Sequence, residues 1–168
     1  MNKSVFSWST WALLSVYLVI LAGAVVRMTG SGMGCPDWPK CFGYFIPPTE
    51  RSQLDWQPNK NYEKGNVIIL DNTLQVATQT FKSDKIIDLQ NWEAYTKHDY
   101  TTFNATHTWV EFINRLLGAI SGLIVLGLFI LSLWWNRKQP LLSLFSFFAV
   151  VGMGVQAWLG KTVVDSNL

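Results

Sequence analysis

The hydrophobic residues of this chain are concentrated in three long blocks separated by polar sequence. Each block lacks charged side chains: residues 9–26, 116–135 and 139–160. A helix that crosses the hydrocarbon core of a bilayer needs about 20 apolar residues. The recurrence of blocks of this length predicts three transmembrane helices, at residues 8–27, 108–135 and 141–160. The predicted fold is an all-α membrane protein with one long polar loop between its first two helices.

Two other interpretations of these blocks are weaker. Three buried helices of a soluble protein would also be apolar, but soluble proteins carry about 25% charged residues, and this chain has 14%. A cleaved signal peptide usually has an apolar core of about 7–15 residues, which is shorter than the first block, and no convincing cleavage site follows it. The net charge of +2 comes without a clustered basic face, so we expect no nucleic-acid partner.

The positions of lysine and arginine indicate the orientation in the membrane. Lys3 precedes the first helix, and two adjacent basic residues lie in the short turn 136–140. Because such residues mark the cytoplasmic side, we expect the N-terminus (1–7) and this turn to be cytoplasmic. The loop 28–107 and the end of the chain, 161–168, are then extracytoplasmic. The chain has no Arg-rich and Ser-rich amphipathic presequence of the kind that directs mitochondrial import, which favours a bacterial cytoplasmic membrane.

Both cysteines lie in the predicted extracytoplasmic loop. Cys35 and Cys41 are separated by five residues that include two prolines, and this compact spacing can bring the sulfurs together. Because the outer compartment of bacteria is oxidising, we expect a disulfide. Two free thiols are an alternative, and so is a thiol metal site, although two cysteines without a nearby histidine do not complete a zinc site. Residues 66–70 form a short β-like run, and the remainder of 45–103 has no clear pattern.

Few ionisable side chains lie close to the predicted membrane segments, and such groups are functional candidates because burying them in a membrane is costly. Arg27 ends the first segment, and Glu111, Asn114 and Arg115 begin the second. The latter three share one helix face through their spacing of three and four residues. We expect them to form a polar pocket with Arg27 near the outer membrane face. A structural role is the alternative: Glu111 would form a capping box with Thr108, and Arg115 would reach the lipid headgroups.

His107 lies four residues before Glu111. If the helix begins near Asn104, His107 faces the same pocket as Glu111. If Thr108 is the cap, His107 lies just outside the helix and its direction is open. The residue is therefore either a candidate metal ligand or an ordinary loop contact.

Three stretches of the sequence together resemble the heme A synthase family. The first outer-loop signature of that family is similar to residues 26–43, VRMTGSGMGCPDWPKCFG. Its second-helix motif, Glu-x-x-His-Arg, is similar to residues 111–118, EFINRLLG, and its run out of the third helix to residues 156–168, QAWLGKTVVDSNL. These matches bracket all three predicted helices, whereas residues 45–103 show no detailed match.

The resemblance implies a specific architecture and reaction. Members of this family have eight transmembrane helices in two similar four-helix halves. They convert the C8 methyl of heme O to a formyl group, in heme A biosynthesis for cytochrome oxidase. The substrate heme binds in the N-terminal half, and a heme b cofactor binds in the C-terminal half. By this resemblance Glu111 is the catalytic acid, Cys35 and Cys41 form a disulfide, and the three helices belong to an incomplete four-helix bundle half.

The sequence departs from the family pattern at two points. Asn114 occupies the position of the family's heme-ligating histidine in the second helix, and a neutral amide is a poor iron ligand. His107, on the outer side of the same helix, is the candidate replacement as an axial ligand of heme iron. The chain also ends directly after the third helix, so we interpret it as an N-terminal fragment of a longer protein and expect it to make no heme A alone.

The leading hypothesis is therefore an oxidoreductase, the N-terminal half of a heme A synthase. A non-enzymatic heme-binding or assembly subunit of the membrane is one alternative. A thiol–quinone oxidoreductase is another, although such enzymes normally need two cysteine pairs. The expected partners are heme O and the lipid bilayer, with heme O synthase and cytochrome oxidase assembly factors as further candidates.

Overall fold

The structure is a computed structural model that describes residues 3–96, 103–134 and 140–166. The chain divides into two compact units. The first, here called the helical unit, contains residues 1–28 and 113–160. The second, called the loop unit, contains residues 29–112 and 161–168.

The described part of the chain forms three long helices: α1 (Lys3–Thr29), α2 (Ala105–Trp134) and α3 (Pro140–Ser166). The most apolar 18-residue stretch of each helix has a mean hydropathy between 1.7 and 2.6. No more than 17% of each of these stretches is buried inside the protein. Soluble proteins rarely expose apolar surface on this scale. All three helices are long and apolar enough to cross a membrane, and the chain is a multi-pass membrane protein.

These helices overlap the three predicted transmembrane segments and extend beyond them. The extension matters most in α2, which begins at Ala105 rather than at residue 108. The predicted turn 136–140 lies outside the described residues except for Pro140. The orientation of the helices across the membrane stays a prediction.

Small polar side chains connect the helices of the helical unit. The hydroxyl oxygens of Ser15 in α1 and Ser121 in α2 are 3.0 Å apart. Ser132 in α2 makes a similar contact of 2.9 Å with Ser146 in α3, and Ser143 donates a hydrogen bond to the backbone oxygen of Ser132 at 2.9 Å. Lipid provides no hydrophobic driving force between helices, so small residues and interhelical hydrogen bonds of this kind stabilise their association.

The loop unit contains two small antiparallel sheets. Its five strands are β1 (Asn61–Tyr62), β2 (Val67–Leu70), β3 (Thr73–Ala77), β4 (Phe81–Lys82) and β5 (Trp92–Ala94). Strand β1 pairs with β4, and the three-stranded sheet has the order β2-β3-β5. Asp71 and Asn72 connect β2 to β3 with φ angles of 47° and 61°, the left-handed conformation that tight hairpin turns require. Two short 3-10 helices complete the unit: Arg51–Leu54 and Leu89–Asn91.

The sheets modify the predicted architecture. The β-like run at residues 66–70 corresponds to β2, whereas the other four strands were not predicted. The all-α prediction therefore describes the three long helices but not the loop between the first two of them.

Strand β2 is buried on both of its faces. Because successive side chains of a strand point to opposite sides, Val67 and Ile69 enter one hydrophobic cluster and Ile68 enters another. The first cluster contains Cys35, Cys41, Phe42, Leu54, Val67, Ile69 and Leu74. The second contains Tyr62, Ile68, Ala77 and Trp92. Both cysteines thus belong to the core of the loop unit.

Candidate functional site

Cys35 and Cys41 form a disulfide, which confirms the prediction from the sequence. Both residues are 1% exposed. They are the two cysteines of the chain, so neither a free thiol nor a thiolate metal ligand is present. The described residues also contain no group of three or more His, Cys, Asp or Glu side chains that could hold a metal ion. We call residues 35–43 the disulfide loop.

One end of the disulfide loop is attached to the sheet. Cys41 and Tyr44 exchange backbone hydrogen bonds of 2.9 and 3.0 Å, and the Val67 amide of β2 donates to the Phe42 carbonyl at 3.0 Å. Gly43 has a φ of 78°, and a Cβ at this position would overlap the neighbouring backbone. This end of the loop therefore depends on a glycine and on direct pairing with a core strand.

The other end of the disulfide loop meets the start of α2, whose cap is Asn104. Its side-chain Oδ1 accepts hydrogen bonds from the backbone amides of Thr106 at 3.0 Å and His107 at 3.2 Å. Its backbone oxygen accepts from the Thr108 amide at 3.0 Å. Thr108 therefore lies inside the helix, and it is not the cap that the capping-box alternative requires.

Thr108 and Glu111 instead direct their side chains at the peptide group that joins Gly34 to the disulfide loop. The Thr108 hydroxyl donates to the Gly34 carbonyl oxygen at 2.8 Å, and the Cys35 amide donates to Glu111 Oε2 at 2.8 Å. Thr108 is 1% exposed and Glu111 is 4% exposed. Hydrogen bonds from a backbone N–H to a carboxylate are among the stronger ones in proteins. The buried carboxylate is thus held in place by the loop that the disulfide closes.

His107 borders a cavity of about 210 Å³ in the loop unit. The lining residues are Gly30, Met33, Gly34, Phe42, Phe103, Asn104, His107 and Thr108. His107 is partly buried, and Phe42 of the disulfide loop lines the same cavity. The role of His107 as an iron ligand stays a prediction.

The remaining predicted site residues belong to the helical unit. Arg27 lies in the last turn of α1, and Asn114 and Arg115 follow Glu111 in α2. Asn114 Oδ1 is buried and has no hydrogen-bond partner among the described residues. A Cβ added to Gly23 would lie 3.9 Å from this oxygen. Because Glu111 belongs to the loop unit, the pocket that joins it to Arg27 and Arg115 stays a prediction.

The role of Gly34 and the direction of the Thr108 hydroxyl were not predicted from the sequence, whereas a helix that begins near Asn104 was one of the two alternatives. Gly34 ends the glycine-rich run 30–34. Such a run indicates that another backbone segment packs closely against it, but does not indicate which segment. Asn104 is a preferred cap residue that precedes the helix, so its role was available from the sequence. The direction of the Thr108 hydroxyl was not, because it depends on a residue far away in the chain.

Three long apolar helices together with a disulfide-bonded, sheet-containing loop define a multi-pass membrane protein with a structured loop. The chain belongs to the COX15-CtaA family, described as cytochrome oxidase assembly proteins, whose sequence model matches residues 6–89 and 76–168. This match confirms the resemblance to heme A synthases.

The chain is similar to several curated heme A synthases. It is 28% identical to the enzyme of Shewanella oneidensis over 163 residues, which cover 95% of this chain and 37% of that protein. It is also 28% identical to the enzyme of Flavobacterium psychrophilum, covering 99% of this chain and 42% of the relative. A shorter match to the Alkalihalophilus pseudofirmus enzyme has 46% identity over 48 residues, 28% of this chain and 16% of the relative. The chain thus spans about 40% of the length of its full-coverage relatives. No solved structure matches it.

Proposed function

We propose that this chain is the N-terminal half of a heme A synthase, which oxidises the C8 methyl of heme O to a formyl group. The observation that carries the proposal is the buried Glu111 carboxylate, which accepts a hydrogen bond from the Cys35 amide beside a disulfide. The family match along the chain supports the same conclusion. Buried ionisable groups with specific partners are frequent at reactive sites.

Glu111 is the proposed catalytic acid. Its carboxyl group would hold or transfer a proton at the substrate methyl. The heme b cofactor, expected outside the part of the relatives that this chain matches, would supply the oxidation chemistry. The tasks of this chain are then to bind heme O, to orient its C8 edge and to keep competing reactions away.

Arg27, Asn114 and Arg115 are proposed to line the same substrate pocket. Heme O carries propionate carboxylates, and the planar guanidinium groups of Arg27 and Arg115 suit carboxylates geometrically. Asn114 does not fit the role of an axial ligand, because heme iron in proteins is held by His, Cys, Met or Tyr side chains. His107 is the axial ligand that we propose in its place.

The function is tested by expressing the complete gene in a host that lacks its own heme A synthase and contains a source of heme O. Extracted hemes are separated by chromatography. Heme A is expected with the wild-type protein, and Glu111→Gln is expected to lower its yield by about 100-fold or more, because the acid can no longer exchange a proton.

The matched control is Glu93→Gln, which removes an exposed carboxylate from β5 and is expected to leave the yield of heme A unchanged. Protein levels in the membrane are compared by immunoblot. A wild-type protein that accumulates normally and forms no heme A would reject the proposed function. The 168-residue chain expressed alone is expected to form none.

The second candidate function is that of a heme-binding assembly subunit that does not oxidise its ligand. Asn114 favours it, because an amide replaces the expected ligand of the iron. In the same assay this protein would retain heme O without converting it. Heme O synthase and cytochrome oxidase assembly factors are proposed partners under either function, on the bacterial cytoplasmic membrane.

A thiol–quinone oxidoreductase is a weaker candidate. Such an enzyme exchanges its disulfide with a partner thiol, so the sulfur that is attacked has to be accessible. Cys35 and Cys41 are 1% exposed and lie in a hydrophobic cluster. This burial favours a structural disulfide.

A further inference from the structure

The peptide group between Gly34 and Cys35 is hydrogen-bonded at both ends by α2. Its carbonyl oxygen accepts from the Thr108 hydroxyl at 2.8 Å, and its N–H donates to Glu111 Oε2 at 2.8 Å. A peptide group is planar and its C=O and N–H point in opposite directions. Fixing the carbonyl therefore fixes the direction in which the N–H points. Thr108 and Glu111 are three residues apart and share one face of α2, so they can reach both ends of this group.

We propose that Thr108 and Gly34 are positioning residues for Glu111, which orient the Cys35 N–H and through it the carboxylate. The proposal rests on the proposed function, in which Glu111 is the catalytic acid. Thr108 does not contact the substrate in this account. It acts on Glu111 through the peptide group, which we call the clamped peptide.

The Thr108 hydroxyl is needed because the clamped peptide is buried. Thr108 is 1% exposed, so water does not replace a lost donor easily. Without the hydroxyl, the Gly34 carbonyl loses its hydrogen bond to Thr108, which is unfavourable for a buried polar group. A rotation of the peptide group that brings the Gly34 carbonyl to another hydrogen-bond donor then becomes favourable. Such a rotation turns the Cys35 N–H away from Glu111.

Gly34 is needed because the clamped peptide touches the backbone of α2. A Cβ at this position would lie 2.5 Å from the carbonyl carbon and oxygen of His107 and 2.7 Å from the Thr108 nitrogen. These are helix backbone atoms, which cannot move aside as a flexible side chain can. Any larger residue therefore pushes the clamped peptide away from Thr108 and Glu111.

Small displacements of a catalytic group have large effects on a reaction. A misplacement of about 1 Å can lower a rate by about 100-fold. The clamped peptide is held by two hydrogen bonds and a close backbone contact, which limit such displacements. This arrangement explains why Thr108 and Gly34, which do not contact the substrate in the proposal, lie beside the buried Glu111 carboxylate.

The first experiment compares three variants of the complete gene product. Thr108→Val keeps the size of the side chain and removes its hydroxyl, Thr108→Ser restores the hydroxyl, and Thr106→Val changes an exposed threonine in the same turn. Heme A formed and heme bound are measured per amount of purified protein. We expect Thr108→Val to lower heme A formation roughly tenfold without loss of bound heme, and the other two variants to resemble the wild type.

A result in which Thr108→Val forms heme A at the wild-type rate would overturn the proposal. So would a loss of bound heme in proportion to the loss of product, because a general structural defect predicts that pattern. Failure of Thr108→Ser to recover activity would overturn it as well, since the hydroxyl is the group to which the role is assigned.

The second experiment is independent of heme chemistry. The Cys35–Cys41 disulfide in detergent-solubilised protein is reduced with a water-soluble phosphine, and the released thiols are counted by a maleimide gel shift. We expect Thr108→Val and Gly34→Ala to be reduced several-fold faster than the wild type, because the clamped peptide no longer holds Cys35. Thr108→Ser and Thr106→Val should be reduced at the wild-type rate.

Equal reduction rates in all variants would overturn the proposal. A wild-type protein that forms no heme A would reject the proposed function, and the reduction rates would still decide whether Thr108 and Gly34 hold the loop. The two failures are therefore distinguishable.

Discussion

Two polar side chains of α2 have different environments. Glu111 is 4% exposed and its Oε2 accepts a hydrogen bond from the Cys35 amide, which offsets part of the high cost of burying a carboxylate. Asn114 Oδ1 is buried without a hydrogen-bond partner among the described residues. Such groups are uncommon in folded proteins and call for an explanation such as a further bound group. This residue is therefore the position at which we expect substrate or water to bind.

His107→Ala tests the proposed iron ligand. Removing an axial imidazole is expected to change the absorption spectrum of bound heme, because the axial ligand tunes the electronic state of the iron. The spectrum of the purified complete gene product is recorded and compared with that of Thr106→Ala, a change at a neighbouring exposed position. An unchanged spectrum and heme content in His107→Ala would exclude this ligand.

At the scale of elements, the disulfide loop is supported from two directions. Phe42, next to Cys41, accepts a hydrogen bond from the Val67 amide of β2, and Cys35 donates one to Glu111 of α2. Sheets of two or three short strands are only marginally stable alone. The disulfide and the two hydrophobic clusters supply the additional stability, so the sheets act as a base on which the disulfide loop is held.

Tyr44 and Tyr62 allow a test of how this base is packed. The Tyr44 hydroxyl is buried without a hydrogen-bond partner among the described residues, and burial raises its pKa to about 12, with a contribution from Tyr62. The Tyr62 hydroxyl accepts a hydrogen bond from the Gln57 amide at 2.9 Å. We expect Tyr62→Phe to lower the free energy of unfolding by about 1 kcal/mol and Tyr44→Phe to cause no loss.

The measurement is the thermal unfolding midpoint of the loop unit within the whole protein. Unfolding is monitored by near-ultraviolet circular dichroism, with all variants in the same detergent. Both variants keep the aromatic ring, so the difference between them reports on the hydroxyl groups. Equal destabilisation by the two substitutions would contradict the described hydrogen bonding.

At the scale of the whole molecule, the two units suit different solvents. The long helices satisfy their backbone hydrogen bonds internally and expose apolar side chains, which is the requirement for residence in lipid. The small sheets have open edges, and open edges do not occur in the hydrocarbon region. We therefore expect the sheets to lie in water, and the basic residues near the helix ends predict that this is the outer side.

The orientation is tested with single cysteines introduced at two exposed positions, Ser4→Cys in α1 and Lys64→Cys in the loop unit. The native cysteines form a disulfide, so they do not compete for a thiol reagent. A membrane-impermeant maleimide is expected to label Lys64→Cys in intact cells and Ser4→Cys only after lysis. The reverse pattern would contradict a cytoplasmic N-terminus.

The features that depend on local composition can be predicted from the amino-acid sequence alone. The three membrane helices follow from the length of apolar sequence that spans a bilayer, and β2 follows from a short run of β-branched residues. The short spacing of Cys35 and Cys41 predicted their disulfide, and the family motif proposes Glu111 as the catalytic acid, since both are read from short stretches of residues.

The contacts between those stretches could not be predicted and are seen in the folded chain. Four of the five strands are shorter or more polar than a pattern-based prediction can recognise. They form because segments of the folded loop pair with one another: β1 with β4, and β3 with both β2 and β5. Thr108 and Glu111 were compatible with a local capping box until the structure showed them bonded to residues 74 and 76 positions earlier. Contacts over such separations depend on the path of the folded chain, because local propensity holds no information about which distant peptide group will face a helix.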